Sequence, residues 1–154
     1  VDFVSQVNGS TLYLTGVQLE VGSKASAFER RPYSEELARC QRYYYRLDSA
    51  EANGTFLRFA TGSIRTSTLG EVLVNLPQKM RGVPAFESSA VSNLAIYSAN
   101  TSTVCTSIVL GADGTSPICL VLAVSVASGL TAGYAFMLIA NNNKNAWIAA
   151  AAEL

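Results

Sequence analysis

From Ile118 to Ala140 the chain runs 23 residues without a charge. That length suffices for a membrane-spanning helix, so its periodicity decides what the chain can fold into. Ile118, Leu120, Leu122, Val124 and Val126 fall on one face, with Cys119, Ala123, Ser125 and Ala127 among the residues opposite. A period of two belongs to a strand, whose successive side chains point to opposite sides. Gly129 and Gly133 flank a Ser/Thr-containing break, and no basic cluster stands at either end. The run is therefore predicted to be a buried β-hairpin, without membrane insertion.

The same punctuation governs everything from Asn53-Gly54 onward. Strands are predicted over Thr55–Ile64, Glu71–Leu76, Ala85–Glu87, Leu94–Ser98, Thr103–Leu110, Ile118–Ala127, Gly133–Ala140 and Ala146–Ala152. Turn-forming stretches separate them, among them Ser67–Gly70, Pro77–Pro84, Gly111–Pro117 and Asn141–Asn145. With a further short strand over Arg42–Leu47, this predicts an all-β fold. The number and antiparallel spacing of the strands suit a jelly-roll-like sandwich.

One short helix is expected before it, from Ser34 to about Gln41. Ser34 is the predicted cap, Glu35 and Glu36 complement the dipole, and Leu37, Cys40 and Tyr44 mark the inner face. Further upstream, Val1–Gln6 and Thr11–Val21 flank the tight-turn signal Asn8-Gly9 and read as a hairpin. A lone hairpin is marginal in water. It is expected to be the remnant of an upstream module, in a chain that opens inside a strand as a piece of a longer protein would. The division is thus 1–33, hairpin and connector with Phe28 as apolar anchor, and 34–154, the main domain.

Eleven basic residues balance eleven acidic ones, and histidine is absent. Zero net charge supplies no electrostatic drive toward nucleic acid. The lack of histidine removes His-based triads and every His-containing zinc site. Cys40, Cys105 and Cys119 show no CxxC spacing; for Cys105 and Cys119, both in predicted strands, a disulfide and two buried free thiols are the alternatives. No calcium loop, P-loop or dinucleotide fingerprint is present, and no carboxylate pair is singled out by a motif. The expectation is no enzyme, no cofactor and no metal.

After Ser88 only Asp113, Lys144 and Glu153 are charged. A solvated antiparallel sheet carries polar residues on its outer face. A second half so poor in charge is expected to bury part of its surface against another copy of itself.

Three features bear on binding. Tyr43, Tyr44 and Tyr45 read either as a sugar-stacking platform or as a strand alternating between core and solvent. The arginines, which outnumber the lysines, read either as grips for phosphate or carboxylate groups or as partners of nearby glutamates. The Asn141–Asn145 loop stands beside the only tryptophan, and Tyr97 and Asp113 lie on or near loops. Tyr97, Asp113, Asn142, Lys144 and Trp147 are the candidate carbohydrate-binding residues.

Val17-Gln18-Leu19-Glu20-Val21-Gly22, Ala25 to Pro32, Glu36-Leu37 and Cys40-Gln41-Arg42-Tyr43-Tyr44 form one recognisable run. Leu76-Pro77 with Met80-Arg81 and Pro84, and the closing Ala152-Glu153-Leu154, are two more. Together they resemble the end of bacteriophage and prophage tail-fibre or tailspike proteins. The resemblance implies a jelly-roll, lectin-like receptor-binding tip, commonly a homotrimer, on the virion and acting at the host cell surface. Its partners would be host polysaccharide or lipopolysaccharide and the upstream fibre domains. It also implies that residues 1–33 end a carbohydrate-binding-module-like sandwich. Cys40, Arg42, Tyr43, Met80 and Arg81 are then expected to serve architecture. The alternative expectation is a trimerisation and folding cap that binds nothing.

Overall fold

A computed structural model describes residues 21–24, 26–27, 30–50, 52, 55–111 and 113–152. The predicted N-terminal hairpin, the Phe28 anchor and the Asn53-Gly54 turn lie outside the described residues.

The all-β reading holds. One helix, α1 (Tyr33–Gln41), precedes nine strands: β1 (Tyr44–Asp48), β2 (Arg58–Ile64), β3 (Leu69–Asn75), β4 (Ala85–Ser88), β5 (Leu94–Ser98), β6 (Thr101–Leu110), β7 (Cys119–Val126), β8 (Ala135–Ala140) and β9 (Trp147–Ala151). All paired strands are antiparallel. Strands β2-β3-β7-β6-β5-β8 close into a barrel, and β1-β9-β4 form a separate sheet beside it.

This pairing departs from the expected two-sheet sandwich. The cause is β3, which follows β2 through a short turn and inserts between β2 and β7. It joins two strands that would otherwise be free edges, and closure removes the edges altogether. The predicted hairpin within 118–140 is also corrected: β7 pairs with β3 and β6, whereas β8 pairs with β2 and β5. The connection from 127 to 134 is too long for a tight turn, and Leu130 anchors it by burying its side chain and donating its N–H to the Ser67 carbonyl.

The period-two pattern supplies the interior. Leu120, Leu122, Val124 and Val126 of β7 are buried and join Val72, Val74, Leu94, Ile96, Ile108, Phe136 and Leu138 in one core. The flanking sheet shares that core through Ile148, Ala150 and Ala152. Phe136 fills space that Gly70 leaves and pairs with a second glycine. It lies opposite Gly62 in the β2–β8 ladder, and its Cε1 stands 2.6 Å from where a Cβ on Gly70 would sit. A Cβ on Gly62 would collide with the Glu71 carbonyl. Ser49, the one buried polar residue described, ties the sheet to the β8–β9 loop by donating its hydroxyl to the Asn143 carbonyl at 2.9 Å.

Helix α1 differs from its prediction. Pro32, not Ser34, stands at the N-cap, with no side-chain hydrogen bond, and the helix has no buried residue. Leu37 and Cys40 are exposed rather than turned to the core.

The three cysteines are free, so the disulfide alternative is not taken up. Cys105 points into the barrel, and burial pushes its thiol from 9.0 up to about 12. An unfolded thiol ionises near its ordinary value while the folded one keeps its proton. Stability is therefore unaffected below that value and falls as pH rises above it, by about 1.4 kcal/mol per unit until the folded thiol ionises. Urea unfolding at pH 8 and 10 is expected to show that extra loss in the native sequence and not in Cys105→Val. Equal slopes would contradict the burial.

Candidate functional site

A bulge creates the groove. Arg58 pairs with Ile139 and Ala60 with Leu138, so Phe59 is one residue more than β8 matches. Such an insertion bends the strand and re-aims its side chains. Phe59 turns into the core, while Arg58 stays exposed on the outer wall beside Ile139. Across β8, Tyr97 of β5 stands opposite Met137, and Ser102 of β6 opposite Tyr97. The β5–β6 turn holds Ala99 and Asn100 at φ of 48° and 62°, the backbone of a tight two-residue hairpin turn. It returns Asn100 over the wall, where the Tyr97 hydroxyl donates to Asn100 Oδ1 at 3.3 Å.

The result is a cavity of about 420 Å³ lined by Phe56, Arg58, Tyr97, Asn100, Ser102 and Ile139. Ile139, 4% exposed, is an apolar floor, while Phe56 is 54% exposed. The segment carrying Phe56 is fixed by the asparagine loop. Thr55 Oγ1 donates to Asn142 Oδ1 at 2.5 Å, the Asn143 N–H donates to the Thr55 carbonyl at 3.0 Å, and the Ala140 N–H donates to the Leu57 carbonyl at 2.8 Å.

Arg58 is one of the arginines with no carboxylate partner among the described residues. Arg31, Arg39, Arg46 and Arg65 are paired with Glu36, Glu35, Asp48 and Glu71. Among the described residues Arg58 has no such partner, and none of those lining the cavity is a carboxylate. Arg58 also borders a second depression, between the barrel and the flanking sheet, lined by Tyr45, Leu47, Leu73, Asn75 and Met137 among others.

Of the five predicted site residues, Tyr97 lines the groove and Asn142 holds its wall through Thr55. Asp113 and Lys144 are exposed on the β6–β7 and β8–β9 loops and do not line it. Trp147 is half-buried at the start of β9, with the Arg46 guanidinium 4.4 Å from its ring centroid. Arg46 is held in turn by Asp48, whose carboxyl lies below its ordinary value through the Ala50 N–H first and Arg46 second. One face of the indole is thus already occupied. Tyr43 and Tyr44 are both exposed while Tyr45 lines a crevice with Leu47, Val74 and Leu120, so the three tyrosines do not alternate strictly between core and solvent.

No protein-family model, curated protein or solved structure matches the chain.

The architectural residues come together. The Arg81 N–H donates to the Arg42 carbonyl at 2.9 Å, and the Ala152 N–H to the Tyr43 carbonyl at 2.7 Å. Met80 is 2% exposed and its N–H donates to the Pro117 carbonyl at 2.7 Å. The Cys40 carbonyl accepts the Tyr43 N–H at 3.0 Å as the helix ends. Three stretches far apart in sequence therefore meet at one corner. Among the described residues, no three of Cys, Asp and Glu are grouped to hold a metal ion.

Sequence reasoning missed Phe56, Arg58, Asn100, Ser102 and Ile139. Two signals pointed to them: Arg58 is the one charge inside an otherwise uncharged predicted strand, and Ser98–Ser102 is a turn joining two strands.

Proposed function

We propose that the chain is the non-catalytic, receptor-binding tip of a bacteriophage tail fibre or tailspike. It binds host surface polysaccharide or lipopolysaccharide as a homotrimer attached to upstream fibre domains. The observation that carries this reading is the groove on the outer wall. A pyranose ring offers apolar C–H faces and a rim of hydroxyls. The groove offers the rings of Phe56 and Tyr97, the Ile139 floor, and hydrogen-bonding groups on Arg58, Asn100 and Ser102. Its size lies within the range of small-molecule sites. Each site alone binds weakly, and presentation of several copies raises avidity without new contacts.

Two further observations support the same reading. The three sequence stretches that resemble phage fibre tips are joined by backbone hydrogen bonds, as an architectural signature would be. The ladders are nested: β1 with β9, β2 with β8 and β5 with β6, while β4 and β5 add to β9 and β8. These pairings are compatible with one long hairpin rolled up as in a jelly roll, although β7 pairs with β3 and β6 and not with β4. A second reading, a structural trimerisation cap, draws on helix α1, where Tyr33, Leu37 and Cys40 share one exposed face.

The test is binding of the purified chain to immobilised bacterial surface polysaccharides. Tyr97→Ala is expected to weaken the interaction about tenfold, from the loss of a stacking ring worth about 1–2 kcal/mol. Undiminished binding by the folded variant would move the site elsewhere, and no binding to any saccharide would favour the cap.

A further inference from the structure

We infer that the groove is built for an acidic sugar, a pyranose bearing one carboxylate, with Arg58 as the residue that recognises the charge. The inference rests on the carbohydrate-binding reading above and adds the chemical class of the ligand.

Among the described residues, Arg58 has no counterion. The other arginines on the strands near a carboxylate are engaged by it, as Arg46 is by Asp48 and Arg65 by Glu71. Arg58 is engaged by none that is described, and the described residues sharing its cavity are Phe56, Tyr97, Asn100, Ser102 and Ile139, all uncharged. An exposed guanidinium at the edge of an apolar floor and two aromatic rings, with no counterion among the described residues, is available to an anionic group on a ligand seated there. The bulge at Phe59 supports this placement, because without the extra residue the alternation of β2 would turn position 58 to the other face.

The shape of the charge narrows the class. A guanidinium presents a planar fork that matches a carboxylate with two parallel hydrogen bonds. The cavity holds one positive charge, which balances one carboxylate and leaves a phosphate monoester, close to doubly charged at neutral pH, uncompensated. The apolar floor and rings then face the C–H side of the sugar, while Asn100 and Ser102 reach its hydroxyls. Asn100 has this capacity available: its Oδ1 accepts from Tyr97, and its side-chain amide nitrogen makes no hydrogen bond within the described chain.

The test uses acidic bacterial polysaccharides immobilised before and after carbodiimide–borohydride reduction, which converts each carboxylate to a primary alcohol and leaves the ring stereochemistry intact. Neutral polysaccharides serve as the second set. The native chain is expected to bind acidic polymers and to lose tenfold or more of its affinity for the reduced forms. Arg58→Ala should lose the same factor on acidic polymers and show no further loss on reduced ones, while Arg58→Lys recovers only part. Binding that depends on Tyr97 but is equal on native and reduced polymers, or unchanged in Arg58→Ala, would overturn the acidic-sugar inference and leave the carbohydrate reading intact. Failure to bind any polymer of either set would overturn both.

Discussion

Replacing Phe136 with alanine is expected to destabilise the fold by about 3–5 kcal/mol, the range for truncating a buried aromatic ring. The effect should lie at the upper end here, because the ring supplies the nearest atoms over Gly70 and lies opposite Gly62 in the ladder. Gly70 on β3, and Gly62 opposite Phe136 on β2, bring no side chains of their own to refill the space. For a chain of this size the melting temperature should fall by roughly 10 °C, read by circular dichroism or calorimetry. A complementary variant tests the same packing from the other side. Gly70→Val would drive a side chain into the Phe136 ring, and combining it with Phe136→Ala should restore part of the loss that each shows alone. Additive losses in the double variant would contradict direct packing between the two positions.

The second large effect concerns assembly. Leu37 is 40% exposed and Tyr33 is 79% exposed, and with Cys40 they form an i, i+4, i+7 stripe on a helix that buries nothing. An isolated helix of nine residues is unstable in water without tertiary support. The same chain leaves Leu73 exposed on the outer barrel wall, together with Val104 and Val109 from the half of the sequence with almost no charge. These surfaces are expected to be covered by other copies of the chain. Light scattering of the purified protein should give the mass of a trimer that persists on dilution. Leu37→Glu, which places charge in the stripe without touching the barrel, should reduce it to monomer with the barrel's melting transition still present. A native chain that is monomeric at every concentration would contradict the assembly, and with it the explanation of the charge-poor half.

The elements were legible in the sequence because alternation records which face of a strand is buried. The Ile118–Ala127 pattern foretold the inward row of β7 at Leu120, Leu122, Val124 and Val126, but Ile118, placed on the same face, precedes the strand and is exposed; Leu94–Ser98 was bounded to the residue. What alternation does not record is partnership. Nothing in the period-two pattern distinguishes a β7–β8 hairpin from a chain that crosses the end of a barrel, and nothing marks β3 as the strand that closes it. The helix failed for a related reason: its apolar stripe was read as facing the core, whereas the chain's own core does not cover it. The same limit explains the site. Tyr97 was legible as an aromatic beside a turn, but its groove partners come from β2, β6 and β8, brought together by a bulge that costs one residue of register. Trp147 and the asparagine loop looked like a binding surface because polar donors and an indole are adjacent in sequence. In the fold those asparagines are spent on Thr55, Ser92 and Asn93, and the indole carries Arg46.

The most direct test of the central claim locates the ligand rather than weighing it. Amide resonances of the isotopically labelled chain would be followed while a soluble, carboxylate-bearing oligosaccharide from a polymer that binds is added. Shifts concentrated on Phe56, Arg58, Tyr97, Asn100 and Ser102 are the predicted result. Shifts confined to Tyr43–Tyr45, to the loop around Asp113 or to Lys144 and Trp147, with the groove silent, would contradict it.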